Sequence, residues 1–265
     1  MNQFWSRIVV GAALLPLVLY LVWLGDWWLF GLALVGGIVA LHELYVMARG
    51  LRPLVLAGYA GLLFSLLGAE LGGVRWLVAG VVGSFLFAFV VFGVSDARPS
   101  FTAAMATTIL GVVWVAGGLA LLLILRDIPE HGRLAVFTVL LAVWADDTAA
   151  FFVGRLIGRH RMAPTISPGK TWEGFIAGSL AAVAVCFFAL YKQHFLSNGA
   201  AIALGAGVAL SATLGDLFES AVKRDLGTKD SGRILGGHGG VLDRIDAQLF
   251  AIPAAYVIVL AFGFS

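Results

Sequence analysis

The chain contains 265 residues, of which 61% are hydrophobic and only 12% carry a charge. A soluble globular domain is nearer half apolar and a quarter charged, so this composition excludes an ordinary water-soluble enzyme. With one cysteine, Cys186, the chain can form no internal disulfide and has no Cys/His spacing for zinc. We therefore expect residues 1–265 to form a single integral membrane domain.

Apolar runs long enough to cross a bilayer recur along the chain. A spanning helix needs about 20 mostly apolar residues. The spans predicted in this way are residues 8–24, 28–48, 54–70, 74–94, 102–125, 134–154, 174–191, 199–222 and 247–264. The pattern predicts an all-α polytopic bundle of about nine transmembrane helices.

The basic residues predict which helix ends face the cytoplasm. Of the 17 Lys and Arg residues, all but Arg75, Arg126, Arg133 and Lys192 fall in alternate loops on one side. By the positive-inside rule, the side that is rich in Lys and Arg is cytoplasmic. We therefore expect a cytoplasmic N-terminus and a multi-pass protein of the cell's inner (plasma) membrane.

Residues capable of chemistry are concentrated in the second half of the chain. We interpret residues 1–133 as scaffold spans, and residues 134–265 as the spans and cytoplasmic loops that hold a catalytic site. His42 and Glu43 are an exception, because they lie inside the second predicted span. Buried polar groups in membranes usually pair with one another or line a cavity. For Glu43, structural pairing and contact with the site both stay open.

The densest polar group begins in the eighth predicted span. Asp216, Glu219, Ser220 and Lys223 recur at i, i+3, i+4 and i+7, so they share one helix face. Two acids one turn apart repel each other, and a carboxylate at membrane depth costs roughly 2.5–3.5 kcal/mol. Either a bound cation or Lys223 is needed to neutralise them.

The loop after this helix has the composition of an anion site. Arg224, Lys229 and Arg233 supply positive charge, and the loop ends in four glycines that surround His238. Glycines let backbone N–H groups approach an anion closely, and the cations can hold a polyphosphate.

Two more acids, Asp243 and Asp246, stand one turn apart at the start of the last helix. Acids at this position complement the helix dipole, which is a purely structural interpretation. Alternatively, the order of acid pair, basic loop and acid pair suits phosphoryl-type transfer. Such chemistry needs carboxylate-bound magnesium and cations on the phosphate oxygens.

A second polar cluster lies upstream. Asp146 and Asp147 fall inside the sixth predicted span, and a basic stretch that includes Arg155, Arg159 and Arg161 follows. Acids within a membrane helix usually face a partner or a cavity.

The run from Ser167 to Glu173 contains a Gly-Lys-Thr sequence. It is not a nucleotide-binding P-loop, because Pro164 stands where that motif needs glycine and no strand is predicted before it. Ser167 and Thr171 could contact phosphate through hydroxyls and amides, or could cap the helix that starts near Glu173. Both interpretations stay open.

The spacing of these residues resembles the signature of the CDP-diacylglycerol synthases, also called phosphatidate cytidylyltransferases. The main similarity runs from Ser220 to Asp246, and three upstream stretches are similar to the same family. The matching residues are Trp144, Asp147, Ser167-Pro168-Gly169-Lys170-Thr171-Trp172-Glu173-Gly174, Gly215-Asp216, Glu219-Ser220, Lys223-Arg224, Lys229-Asp230, His238-Gly239-Gly240, Asp243-Arg244 and Asp246.

This resemblance implies that CTP and phosphatidic acid react to give CDP-diacylglycerol and pyrophosphate. The lipid phosphate would attack the α-phosphorus of CTP with the help of Mg²⁺, and a second cation is left open. The implied metal ligands are Asp216, Asp243, Asp246 and Asp147. The implied catalytic residues are Asp216, Asp243, Asp246, Lys223 and Arg224. The implied substrate-binding residues are Ser167, Lys170, Thr171, Lys229, Asp230, His238, Gly239, Gly240 and Arg244.

The expected partners are CTP, phosphatidic acid and membrane lipids, with no nucleic acid, and a homodimer is left open. One rival is another lipid-and-nucleotide enzyme, such as a CDP-alcohol phosphotransferase or a polyprenol kinase; the D-G-x-x-A-R pattern of the former is absent. A second rival is an ion-coupled transporter that uses Asp216, Glu219 and Asp147 as a relay. Against it, no polar path continues through the first five predicted spans.

Overall fold

The computed structural model describes residues 15–95, 100–232 and 239–263. Its helices are α1 (Leu15–Leu24), α2 (Asp26–Met47), α3 (Val55–Val94), α4 (Phe101–Gly111), α5 (Gly117–Arg126), α6 (Gly132–Ile157), α7 (Trp172–Leu190), α8 (Asn198–Asp225) and α9 (Leu242–Phe262). A π-helical segment, Val112–Ala116, joins α4 to α5, and a 3₁₀ turn, Arg49–Leu51, follows α2. The predicted all-α membrane bundle is confirmed.

Two short strands depart from the predicted run of helices and loops. β1 (Arg161–Ala163) and β2 (Ser167–Thr171) pair antiparallel between α6 and α7, with Arg161 opposite Thr171. The pair was not predicted because neither strand is long enough to show an alternating pattern of apolar residues. His160 and Glu173 close its base, with 2.6 Å between the ring Nδ1 and Oε1.

Helix α3 is two antiparallel helices joined by a tight reversal. Gly72 and Gly73 have non-helical backbone angles, and Gly73 has a φ of +65° that favours glycine. The two halves of α3 run alongside each other, since Gly68 lies against the backbone of Trp76 and Gly80 lies against that of Phe64. The reversal therefore falls between the predicted spans 54–70 and 74–94.

In the described part of the chain, seven helices are long and apolar enough to cross a membrane, if α4, the π-helical segment and α5 are counted as one helix, Phe101–Arg126. One of the seven is the 40-residue α3, which covers two predicted spans. The first predicted span, residues 8–24, lies partly outside the described residues, and α1 is its described part. The number of nine spans and the cytoplasmic N-terminus stay predictions.

The chain forms two compact units. Unit 1 comprises the chain up to Asp127 and the segment Leu226–Ile245; unit 2 comprises Ile128–Asp225 and the chain from Asp246 onward. In unit 1, α3 packs on α2, α4 and α5. In unit 2, α7 packs between α6 and α8, and the hairpin contacts all three helices.

Candidate active site

An open cavity of about 590 Å³ lies within unit 2. It is bounded by α6, the hairpin, the first turn of α7 and the C-terminal half of α8. Its polar and charged lining comes from Asp146, Asp147, Arg155, Arg161, Ser167, Lys170, Thr171, Thr213 and Asp216. Phe151, Met162 and Phe175 provide apolar surface. The cavity gathers five of the predicted site residues: Asp147, Ser167, Lys170, Thr171 and Asp216.

Glycines allow α6 and α7 to approach each other closely beneath this cavity. A Cβ atom at Gly174 would lie 2.7 Å from the carbonyl oxygen of Ala150, and one at Gly178 would lie 2.8 Å from that of Asp146. Small residues commonly permit such contacts between membrane helices, where apolar burial adds little driving force. The close approach brings the acids of α6 to the cavity that the hairpin borders.

Thr171 is the N-cap of α7. Its hydroxyl oxygen accepts a hydrogen bond from the backbone N–H of Gly174 at 3.2 Å, and its side chain is buried. The capping interpretation is therefore confirmed for Thr171. Thr171 also lines the cavity, so phosphate contact stays a prediction.

Lys170 and Asp216 form an ion pair across the cavity. The ammonium group of Lys170 donates to Oδ2 of Asp216, which lies 46 residues further along the chain. Each side chain is about one quarter exposed, at 26%. The pair is therefore accessible from the cavity, and a ligand that enters can compete for either charge.

More carboxyl groups surround Asp216 in unit 2. Asp246 is 8% exposed and lies close enough to Asp216 and Glu219 for their negative charges to act on it. Glu219 is 2% exposed, and its Oε2 accepts a hydrogen bond from Lys223 at 2.7 Å. The structure thus shows that Lys223 partners Glu219, one of the two alternatives for this helix face. Three carboxyl groups therefore lie close together in a largely buried part of unit 2, where negative charges raise one another's energy.

Asp146 lines the cavity, although it was not among the predicted site residues. It is 3% exposed, and its Oδ1 accepts no hydrogen bond from any residue that the structure describes. Lys170, Asp147 and Asp216 act on it electrostatically. The signal in the sequence was the presence of two adjacent acids inside an apolar helix, since such residues in a membrane are costly without a function.

These carboxylates have the chemistry of a magnesium site, because Mg²⁺ prefers oxygen ligands. The buried Oδ1 of Asp146, which has no hydrogen-bond partner among the described residues, fits a missing positive charge. The closeness of Asp216, Glu219 and Asp246 fits it too. Within residues 15–95, 100–232 and 239–263, no three His, Cys, Asp or Glu side chains are arranged to hold a metal ion. The metal ligands therefore stay a proposal.

Asp243, another predicted residue, lies in unit 1. Asp243 accepts hydrogen bonds from the backbone N–H groups of Ser231, at 3.2 Å and 3.3 Å to its two oxygens, and of Gly240 at 2.9 Å. Gly239 has a φ of +82°, a conformation that favours glycine. The Asp243 side chain therefore binds backbone amides of the chain that precedes α9.

The other predicted residues lie at the surface. Lys229, Asp230 and Arg244 of unit 1 are exposed, and so is Arg224 of unit 2. The Nε–H of Arg224 donates to the carbonyl oxygen of Ile166 at 3.4 Å, so this side chain reaches the hairpin turn. His238 lies outside the described residues.

Glu43 is structurally paired within unit 1. Its two carboxylate oxygens accept hydrogen bonds from the hydroxyl of Ser231 and from the backbone N–H groups of Val241 and Leu242. The structural pairing expected for this membrane acid is confirmed. His42 faces elsewhere, and its Nδ1 lies 3.0 Å from the hydroxyl oxygen of Tyr59.

Comparison with known proteins assigns a family to this arrangement. The sequence model of the "Cytidylyltransferase family" matches residues 5–262. A protein of Mycobacterium bovis named phosphatidate cytidylyltransferase is 35% identical over 280 aligned residues, which cover 96% of this chain and 87% of that protein.

Two further relatives are also named phosphatidate cytidylyltransferase. The Haemophilus influenzae protein is 44% identical over 134 residues, which cover 47% of this chain and 45% of that protein. The Staphylococcus aureus protein is 43% identical over 133 residues, which cover 49% of this chain and 51% of that protein. The match over nearly the whole chain agrees with the motifs, and it places this protein in the cytidylyltransferase family, as a membrane-embedded nucleotidyltransferase.

Proposed function

We propose that this protein is a phosphatidate cytidylyltransferase, which converts CTP and phosphatidic acid into CDP-diacylglycerol and pyrophosphate. One observation carries the proposal: the 35% identity with a relative of that name extends over 96% of the chain. It therefore includes both the spans and the polar loops.

The charges of the cavity support a polyphosphate substrate. Lys170, Arg155 and Arg161 line it, and lysine and arginine side chains form charge-assisted hydrogen bonds with phosphate oxygens. Arg155 and Arg161 are exposed, whereas Lys170 is already oriented by Asp216. We propose that Lys170 binds a phosphate oxygen of CTP and that the two arginines hold the remaining phosphate charge.

The reaction joins two anions, so its main physical obstacle is charge repulsion. A phosphate oxygen of phosphatidic acid attacks the α-phosphorus of CTP, a new P–O bond forms, and the bond to pyrophosphate breaks. Holding both reactants in line removes much of the entropic barrier, and fixed cations stabilise the developing charge. Magnesium, when bound, would neutralise phosphate oxygens and polarise the α-phosphorus. We propose Asp216, Asp243, Asp246 and Asp147 as its ligands.

The apolar rim supports a lipid as the second substrate. On α6, Phe151, Phe152, Leu156 and Ile157 are between 57% and 79% exposed, and Phe151 also lines the cavity. Exposed apolar side chains on a membrane helix face acyl chains. A lipid can therefore keep its tails in the bilayer while its phosphate reaches Arg155, which lies on the same helix.

We further propose that the cavity opens at the cytoplasmic face of the inner membrane. The basic residues of the hairpin and of the loop after α8 support this orientation by the positive-inside rule. CTP is a cytoplasmic nucleotide, so the orientation also gives the substrate direct access.

The test uses the purified full-length protein in detergent micelles that contain phosphatidic acid. We expect a CDP-lipid to form when CTP and Mg²⁺ are added, and formation to stop when EDTA removes the metal. Diacylglycerol in place of phosphatidic acid is the control and is expected to give no product. If no CDP-lipid forms while the protein transports ions in proteoliposomes, the transporter interpretation replaces this one.

A further inference from the structure

A buried acid on α2 holds the segment that contains Asp243. Glu43 is 3% exposed, and its side chain accepts hydrogen bonds from residues that lie 188 to 199 positions further along the chain. Its Oε1 accepts from the N–H of Val241 at 3.0 Å, and its Oε2 accepts from the N–H of Leu242 at 2.8 Å. A carboxylate from a different helix thus satisfies two free amides at the start of α9.

Ser231 connects this acid to Asp243. Its hydroxyl donates to Oε2 of Glu43 at 3.2 Å, while its backbone N–H donates to the Asp243 carboxylate. Ser231 is buried, at 5% exposed. Ser231 therefore contacts both acids, so a change in the position of Glu43 is expected to move the chain that binds Asp243.

The backbone around Glu43 is shaped to admit a carboxylate. A Cβ atom at Gly240 would lie 2.5 Å from its Oε2, and a Cβ atom at Gly232 would collide with its Oε1. Both glycines are thus needed for close approach, in addition to any role with phosphate. Gly240 also donates its N–H to Asp243, so the same residue packs on one acid and orients the other.

We propose that Glu43 is a positioning residue, which fixes the Asp243 carboxylate for its role in the reaction through Ser231 and Gly240. The proposal rests on the proposed function, in which Asp243 is a metal ligand. Groups that orient a metal ligand typically change metal affinity or activity by 10–100-fold when they are removed. Simple packing of α9 would change stability but not the metal requirement of the folded protein.

Glu43→Gln is the main test, because glutamine keeps the size of the side chain but presents an NH₂ group to one of the two backbone donors. We expect kcat to fall about 10-fold and the Mg²⁺ concentration for half-maximal rate to rise by a similar factor. We also expect Mg²⁺ alone to protect this variant less against thermal unfolding than it protects the wild type. Excess Mg²⁺ should restore part of the lost rate, which it cannot do for an unfolded fraction.

Two further variants make the result decisive. Ser231→Ala keeps Glu43 and removes only the bridging hydroxyl, so it should change the Mg²⁺ requirement in the same direction but less. If Glu43→Gln does not fold, the Mg²⁺ requirement of Ser231→Ala tests the positioning role instead.

His42→Ala is the matched control, since His42 is the neighbour of Glu43 on α2 and hydrogen bonds with Tyr59. It should match the wild type within about 2-fold, below the range expected for a positioning residue.

A wild-type Mg²⁺ requirement in both Glu43→Gln and Ser231→Ala overturns the inference, whatever their thermal stability. The proposed function fails in a different way, when the wild type makes no CDP-lipid at all. The Mg²⁺ protection measurement needs no turnover, so it still tests Glu43 in that case.

Discussion

Asp243 illustrates how one carboxylate can serve both a helix and a reaction. Both of its oxygens take part in hydrogen bonds with backbone N–H groups of unit 1. Each carboxylate oxygen has two lone pairs, so these bonds leave acceptor capacity for a cation. The structural role and the proposed catalytic role of Asp243 are therefore compatible.

Asp243→Asn separates the two roles. Asparagine keeps one acceptor oxygen for the amides but loses the charge that a metal ion needs. We expect CDP-lipid formation to fall by more than about 100-fold, beyond the effect of removing a merely orienting group. The unfolding temperature should change little. Asp127→Asn, an exposed acid after α5, is the control and should retain activity. Near wild-type turnover in Asp243→Asn would contradict a metal-binding role.

Lys170 makes a different prediction, because it faces the cavity from the hairpin. Lys170→Ala removes the partner of Asp216 and one positive charge from the lining. We expect the KM for CTP to rise about 10-fold, with a smaller effect on kcat, since a hydrogen bond to a charged group contributes about 1.5–3 kcal/mol. Lys192→Ala, at the exposed end of α7, is the control. An unchanged KM for CTP would indicate that the hairpin does not bind phosphate and serves mainly to cap α7 through Thr171.

At this scale, residue type was predictable but pairing was not. Local spacing identified Lys170, Asp216 and Asp243 as site candidates. The pairing of Lys170 with Asp216 depends on how α7 packs on α8, which no local pattern encodes. Asp146 was overlooked for a related reason: only the packing of α6 against α7 shows that its Oδ1 is buried without a hydrogen bond.

The helices of unit 2 depend on close contact at glycine. Gly174→Ala would place a methyl group 2.7 Å from the carbonyl oxygen of Ala150, so α6 and α7 must separate. We expect a loss of about 1–3 kcal/mol in stability, typical of overpacking, and reduced turnover because the cavity is bounded by both helices. Thermal unfolding in detergent measures the first effect, and CDP-lipid formation the second.

Gly36→Ala is the matched control for this substitution. Gly36 lies within α2, where a Cβ would meet nothing within 4 Å. Alanine is the better helix former, so this variant should be neutral or more stable by up to about 1 kcal/mol. If Gly174→Ala were as stable as Gly36→Ala, close packing between α6 and α7 would not limit stability.

The helices were predictable from the sequence where the length of an apolar run is enough to define them. The predicted break between residues 70 and 74 coincides with the reversal at Gly72 and Gly73. The hairpin of β1 and β2 was missed, because its eight strand residues carry no helical or alternating apolar pattern. It forms because the flanking helices and the contact between His160 and Glu173 bring its ends together.

For the whole molecule, composition was sufficient to predict a membrane protein, while the orientation rests on the distribution of Lys and Arg. The native cysteine, Cys186, is fully buried, so a Cys186→Ala background permits labelling at chosen sites. We expect a membrane-impermeant maleimide to label Arg159→Cys only after the membrane has been permeabilised, so that the reagent reaches the cytoplasmic side. Lys192→Cys should be labelled in intact cells. The reverse pattern would place the cavity on the outer side.

Radioactive phosphorus at a known position in CTP shows whether CTP transfers its α-phosphorus to a lipid phosphate. Purified protein is incubated with phosphatidic acid, Mg²⁺ and CTP that carries ³²P at either the α- or the γ-position. We expect the α-label in the extracted lipid and the γ-label in pyrophosphate. Label from the γ-position in the lipid would show a kinase instead, and no label in the lipid from either position would contradict the account outright.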